Sequence, residues 1–216
     1  SHSDGQGTVD WINKGEVATR WPHLPARPVI NLEPNYEEIR PTIDAEDVRN
    51  ASYWSLFATP MSGITYGANA IWPWIREGEE ILNHRTPENL STWRKSIDFP
   101  GSLQIGYLAE FLNKYDWWNL RPTGELLVEQ PGDEQYNHFI SVVQSIDKNT
   151  LMAYIPHTST VKLYNPNHAE YEATWFNPSD NSTTVAQLKT ATGVLEATSP
   201  SETDYILVLR KQVNNE

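Results

Sequence analysis

The chain has 216 residues, a formal net charge of −12 and no cysteine. The length allows one large domain or two of about 100 residues each. Disulfides, thiolate zinc sites and a cysteine nucleophile are excluded, and an acidic chain without a basic cluster speaks against nucleic acid as a partner.

The chain opens without a Met in "SHSDGQGTVDW", which reads as a loop already in progress, so the numbering is expected to begin inside a longer protein. Residues 8 to 20 carry Val9, Trp11, Ile12 and Val17 at loosely helical spacing, with Thr8 as a cap and Gly15 as a weak point. "PVINL" follows as a short β-branched run without alternation, which fits a strand buried on both faces. It ends in Glu33 and Pro34. "DAEDVRNASYWSLFA" then reads as a helix over 44 to 58, with Asp44 at its N-cap, acids in the first turn and one apolar face at 48, 51, 54, 57 and 58.

"SGITYGANAIW" begins as a second strand and becomes a Gly-containing loop, and "GSLQIGYLAEFLNKY" at 101 to 115 reads as a second amphipathic helix. The alternation of helix and strand predicts βα units on a parallel sheet. Between them, the irregular stretch from about 73 to 100 is long for a connector, and long loops tend to be functional. From 139 onward, "FISVVQSI", "TLMAYIP", "TVKLYN", "EATWFNP", "TTVAQLK" and "DYILVLRKQ" read as alternating strands between turn-forming residues. They predict an antiparallel sandwich, with a domain boundary near 122 to 136.

In parallel α/β folds, functional groups gather where strands end. Glu33 sits at such an end, followed by Asn35, Tyr36, Glu37 and Glu38, and the second strand leads to Tyr66, Gly67, Asn69, Trp72 and Trp74. A carboxylate beside amides and flat aromatic faces is what a sugar site requires. The plainer readings are that Glu33 is a solvated strand end, that Glu37 and Glu38 are surface charges, and that Trp54 belongs to the core. Trp117 and Trp118 are expected to pack the two regions together. No HExxH, GxSxG, GxGxxG or phosphate-binding Gly loop occurs, and His2 and His23 are too poorly accompanied for a metal site, so neither cofactor nor metal is expected. No apolar run is long enough to span a bilayer, and no membrane partner is expected.

Taken together, "RPVINLEPNYEEI", "DVRNASYWSLFATPMSGITYGANAIWPW", "PGSLQIGYLAEFL" and "WWNLRP" resemble the later part of the apiosidase-like glycoside hydrolases. The second region resembles their companion β-domain, traditionally labelled a collagen-binding domain of a collagenase. The resemblance runs from His2 to about Lys211. It implies that residues 1–124 are the C-terminal portion of a (β/α)8 TIM barrel and residues 125–216 an accessory β-sandwich. It further implies retaining glycosidase chemistry on plant or microbial saccharides in an extracytoplasmic bacterial setting.

By that analogy Glu33, at the end of the seventh barrel strand, matches the nucleophile. Tyr66, Asn69 and Trp72 follow the eighth strand beside the sugar, with Asn35, Tyr36 and Trp74 as further contacts. His2 is placed as a contact at the end of the sixth strand. Ile64 stands where family members often carry a His. The acid/base carboxylate belongs to an earlier strand, so the rest of the barrel is expected from a missing or separate chain, and this chain alone is expected to be inactive. The alternatives are a non-catalytic module binding carbohydrate or a matrix protein, and a sandwich that only buttresses the barrel.

Overall fold

The computed structural model describes residues 5–25, 27–80 and 91–212. In chain order the first half comprises α1 (Gln6–Asn13), α2 (Glu16–Arg20), β1 (Val29–Asn31), α3 (Ala45–Phe57), β2 (Met61–Ile64), α4 (Trp93–Ser96) and α5 (Pro100–Leu112). The predicted helix over 8 to 20 is two helices. They meet at Gly15, where a Cβ would lie 2.5 Å from the Trp11 carbonyl oxygen, so the close turn requires glycine there.

β1 and β2 pair in parallel, with Ile30 opposite Gly63 and Asn31 opposite Ile64. α3 crosses between them as the predicted βα unit requires. Asp44 caps α3 by accepting from the backbone N–H groups of Glu46 and Asp47, while the Asp47 side chain accepts from the Asp44 N–H. Pro100 occupies the first turn of α5, where its missing N–H costs nothing.

The second half is antiparallel. β3 (Leu120–Pro122), β4 (Ser141–Ser145), β5 (Thr150–Ile155), β7 (Tyr171–Asn177), β8 (Ser182–Val185) and β11 (Tyr205–Lys211) form one sheet in the order β3-β4-β5-β11-β7-β8. β6 (Thr160–Tyr164), β9 (Lys189–Ala191) and β10 (Val194–Thr198) form the other, in the order β6-β10-β9. The larger sheet thus starts at Leu120. "TTVAQLK" divides between β8 and β9, and β10 was not foreseen. Its turn signal is present in the sequence: Thr192 and Gly193 both have positive φ between paired Ala191 and Val194, as a two-residue hairpin of type I′ needs.

Period-2 alternation sorts the central strands between two cores. Leu151, Ala153 and Ile155 of β5, with Leu207 and Leu209 of β11, face the three-stranded sheet. Met152 and Tyr154, with Ile206 and Val208, face the helices. These strands carry no polar face because neither side of them meets water.

The predicted single apolar face of α3 is corrected by the same packing. Arg49, Asn50, Ser52, Tyr53 and Ser55 are buried along with Val48, Ala51, Trp54 and Phe57. The helix lies between α1, α5 and β2 on one side and the sheet on the other. Several of its polar groups are satisfied individually: Ser52 and Ser55 donate to the carbonyls of Val48 and Ala51, and Tyr154 donates its hydroxyl to Asn50, while the buried Tyr53 hydroxyl has no hydrogen-bond partner among the described residues. Trp54 is buried as expected, its indole N–H donating to Phe139 O at 2.8 Å. The expectation for the tandem tryptophans divides: Trp117 packs against the helix-facing core, whereas Trp118 is 58% exposed.

Across this junction Tyr53 stacks on Tyr154 at 4.8 Å and Phe111 on Phe176 at 4.1 Å. Arg49 donates twice to Asp204, at 3.1 and 2.7 Å, and once to Gln104 at 2.6 Å. Asp204 is fully buried. Asp204→Ala therefore leaves Arg49 buried and unpaired, with an expected loss of about 3–5 kcal/mol, read from the urea midpoint. Arg49→Met combined with Asp204→Leu should recover part of that loss, because an apolar pair needs no desolvated charge.

Candidate active site

The site is assembled at the ends of the two parallel strands. Asn31, the last residue of β1, is buried; its amide donates to Ser55 Oγ of α3 at 2.7 Å, and its Oδ1 accepts from the Glu33 N–H at 3.2 Å. The helix thereby fixes the strand end, and the strand end fixes the backbone of Glu33. Two donors meet the carbonyl of Leu32: the Tyr36 hydroxyl at 3.1 Å and the Thr65 hydroxyl beyond β2. This ties the loop after β1 to the loop after β2.

Glu33, Tyr36, Ile39, Tyr66, Gly67, Ala68, Ile71 and Trp72 line a cavity of about 640 Å³. Tyr36 and Trp72 meet with ring centroids 5.2 Å apart, tilted by 52°. A Cβ on Gly67 would lie 2.7 Å from the Tyr36 ring, so only glycine lets the two loops approach this closely. Partial burial raises the pKa of the Tyr36 phenol, and the nearby Glu33 carboxylate adds to the effect. The wall therefore combines one exposed carboxylate, two phenols and an indole, 38% exposed in the case of Trp72.

Of the residues expected at the site, Glu33, Tyr36, Tyr66 and Trp72 are brought together. Asn69 is not on the wall: it is buried, donating from Nδ2 to Glu38 O and accepting from the Ala70 N–H. Asn35 is buried on the other side of the loop, against a smaller cavity of about 170 Å³ shared with Asn50, Trp54 and His157. Trp74 stacks on Trp93 at 4.3 Å, away from the cavity wall. His2 lies outside the described residues.

Glu37 is the residue that sequence reasoning misplaced. It is 4% exposed, not a surface charge. Its carboxylate accepts from the Tyr66 hydroxyl at 2.7 Å and from the Gly101 N–H at 3.3 Å. Nothing local distinguishes it from Glu38, because its burial comes from Tyr66 and α5, both distant in sequence. Among the described residues there is no group of three or more His, Asp or Glu side chains suited to a metal ion, and no helix long and apolar enough to cross a membrane.

The family model described as "Apiosidase-like, catalytic domain" matches residues 2–119, and the model described as "Putative collagen-binding domain of a collagenase" matches residues 114–210. No curated protein matches the sequence. Among solved structures, one described as a glycoside hydrolase is 22% identical with a TM-score of 0.77, covering 95% of this chain and 46% of its own. A glycoside hydrolase family 5 protein from Bacteroides vulgatus ATCC 8482 is 22% identical with a TM-score of 0.72, covering 90% of this chain and 43% of its own. A cycloisomaltooligosaccharide glucanotransferase from Paenibacillus sp. is 14% identical with a TM-score of 0.51, covering 77% and 27%. At these identities the likeness is one of fold, and this chain spans less than half the length of each. With more than half of its residues matched by that catalytic-domain model, the chain belongs to the apiosidase-like family.

Proposed function

We propose that this chain is part of a retaining glycoside hydrolase with Glu33 as its nucleophile. The observation that carries this reading is the position of Glu33: an exposed carboxylate on a cavity wall shared with Tyr36, Tyr66 and Trp72, at the end of a strand parallel to its neighbour. Aromatic rings offer apolar faces to the C–H surfaces of a sugar, and the phenols offer hydrogen bonds to its hydroxyls.

A Glu33 carboxylate oxygen attacks the anomeric carbon as the glycosidic bond breaks, giving a covalent glycosyl-enzyme that water then hydrolyses. The leaving oxygen takes its proton from a second carboxylic acid. In retaining enzymes the two groups stand about 5–5.5 Å apart. No other Asp or Glu lines the cavity among the described residues, and Glu37 is turned into the protein; in this reading the acid/base is supplied by a part of a (β/α)8 barrel that the described residues do not include. The substrate class is a saccharide of pentose or hexose units, met outside the cytoplasm of a bacterium.

Glu33→Gln in the intact protein should reduce turnover on the order of 10³-fold or more, the scale of losing a group that acts in the transition state. Its urea midpoint should stay unchanged. Near-normal activity would reject the nucleophile assignment.

In this reading the sandwich is a buttress, because its larger sheet supplies one wall of the burial around α3. Retention of separately produced residues 114–216 on immobilised glycans and on collagen should accordingly be undetectable. Specific retention on either would assign the sandwich a recognition role.

A further inference from the structure

Next to the cavity lies a polar joint that the proposed chemistry does not use. The Glu37 backbone is woven into the second loop: its N–H donates to Gly67 O, and its carbonyl accepts from the Asn69 N–H, both at 2.8 Å. Its side chain turns inward, where Oε2 accepts from the Tyr66 hydroxyl at 2.7 Å and Oε1 from the Gly101 N–H at 3.3 Å. Gly101 is the second residue of the thirteen-residue α5, so the carboxylate sits where the helix presents free N–H groups and its positive end. A Cβ at position 101 would collide with Oε2, so glycine makes room for the contact. Glu37 is too buried to touch a ligand, whereas Tyr66 lines the cavity.

A phenol has one proton. While Glu37 is ionised, that proton is committed to Oε2, and only the lone pairs of the Tyr66 oxygen remain for a ligand. We propose that Glu37 is a positioning residue that fixes Tyr66 as a hydrogen-bond acceptor for a hydroxyl of the glycosyl unit. The proposal rests on the glycosidase reading above.

The surroundings of the joint give it a pH dependence. Burial raises the Glu37 pKa above the ordinary carboxylate value; the bonds from Tyr66 and Gly101 oppose the shift, while the charges of Glu38 and Asp44 reinforce it. Burial, followed by the bond to Glu37, pushes the Tyr66 phenol far above its usual value, with the Ser102 backbone opposing, so Tyr66 stays protonated. When Glu37 takes up a proton it can donate to the Tyr66 oxygen. The bond then reverses, and Tyr66 loses its acceptor role as pH falls through the raised Glu37 pKa.

The test uses the intact polypeptide labelled with [ζ-13C]tyrosine, with Tyr66→Phe identifying the Tyr66 resonance. That resonance should titrate with an inflection above 4.5, the ordinary Glu value, and become flat in Glu37→Gln. With 4-nitrophenyl pentosides and hexosides as probes, Glu37→Gln and Tyr66→Phe should each lower kcat/KM by about tenfold, the scale of one charge-assisted hydrogen bond. The double variant should lose no more than Tyr66→Phe alone, since one residue acts through the other. A flat wild-type resonance, a titration that persists in Glu37→Gln, or additive losses of about a hundredfold would overturn the proposal. Absence of all turnover would overturn the glycosidase reading and the ligand half of this one, while the titration still decides whether Glu37 orients Tyr66.

Discussion

The buried pair between Arg49 and Asp204 ties together residues 155 positions apart and holds the two halves of the molecule on one helix. Placing a guanidinium and a carboxylate where one is 4% exposed and the other fully buried is unfavourable unless both are fully engaged. They are: Arg49 also reaches Gln104 of α5, and Asp204 accepts from Thr203 at 3.0 Å, with the Tyr154 hydroxyl oxygen 3.1 Å away. Such a cluster contributes less through net energy than through geometry, because it tolerates a single seating of the helix on the sheet.

That seating reaches the cavity through α3. Two turns after Arg49, Ser55 holds Asn31, and Asn31 holds the Glu33 backbone. The helix is locked at one end by the sandwich and determines the strand end at the other. Tyr53, stacked on Tyr154, lies between these two points and prevents the helix from rolling. The accessory sheet therefore shapes the site without contributing any residue to the cavity wall.

The local elements were legible because their causes are local. Asp44 and Asp47 announce the start of α3, Pro100 announces α5, and the β-branched run before Glu33 announces β1. The aromatic share of the cavity was legible too, since Tyr36, Tyr66 and Trp72 follow strand ends. The side chains whose roles depend on a distant partner were not legible. Arg49 and Asn50 look like the solvated face of an amphipathic helix, and only a sheet that begins at Leu120 turns that face into a junction. Asn69 resembles a sugar-binding amide until the loop closes it onto Glu38 and Ala70.

The three carboxylates divide the work by their degree of burial. Asp204, sealed against a guanidinium, has no remaining freedom and fixes the fold. Glu37, sealed against a phenol and a helix N-terminus, fixes the orientation of a wall residue. Glu33 differs from both in that its backbone is anchored through Asn31 while its side chain reaches the cavity. A nucleophile has to combine these properties, because attack needs a carboxylate that is accessible to substrate and attached to something that does not move. The motif places two glutamates four residues apart, and Pro34 with the curl of the loop onto Leu32 sends them to opposite sides, one outward to the cavity and the other inward to Tyr66 and α5, as the proposed roles of nucleophile and positioning residue require.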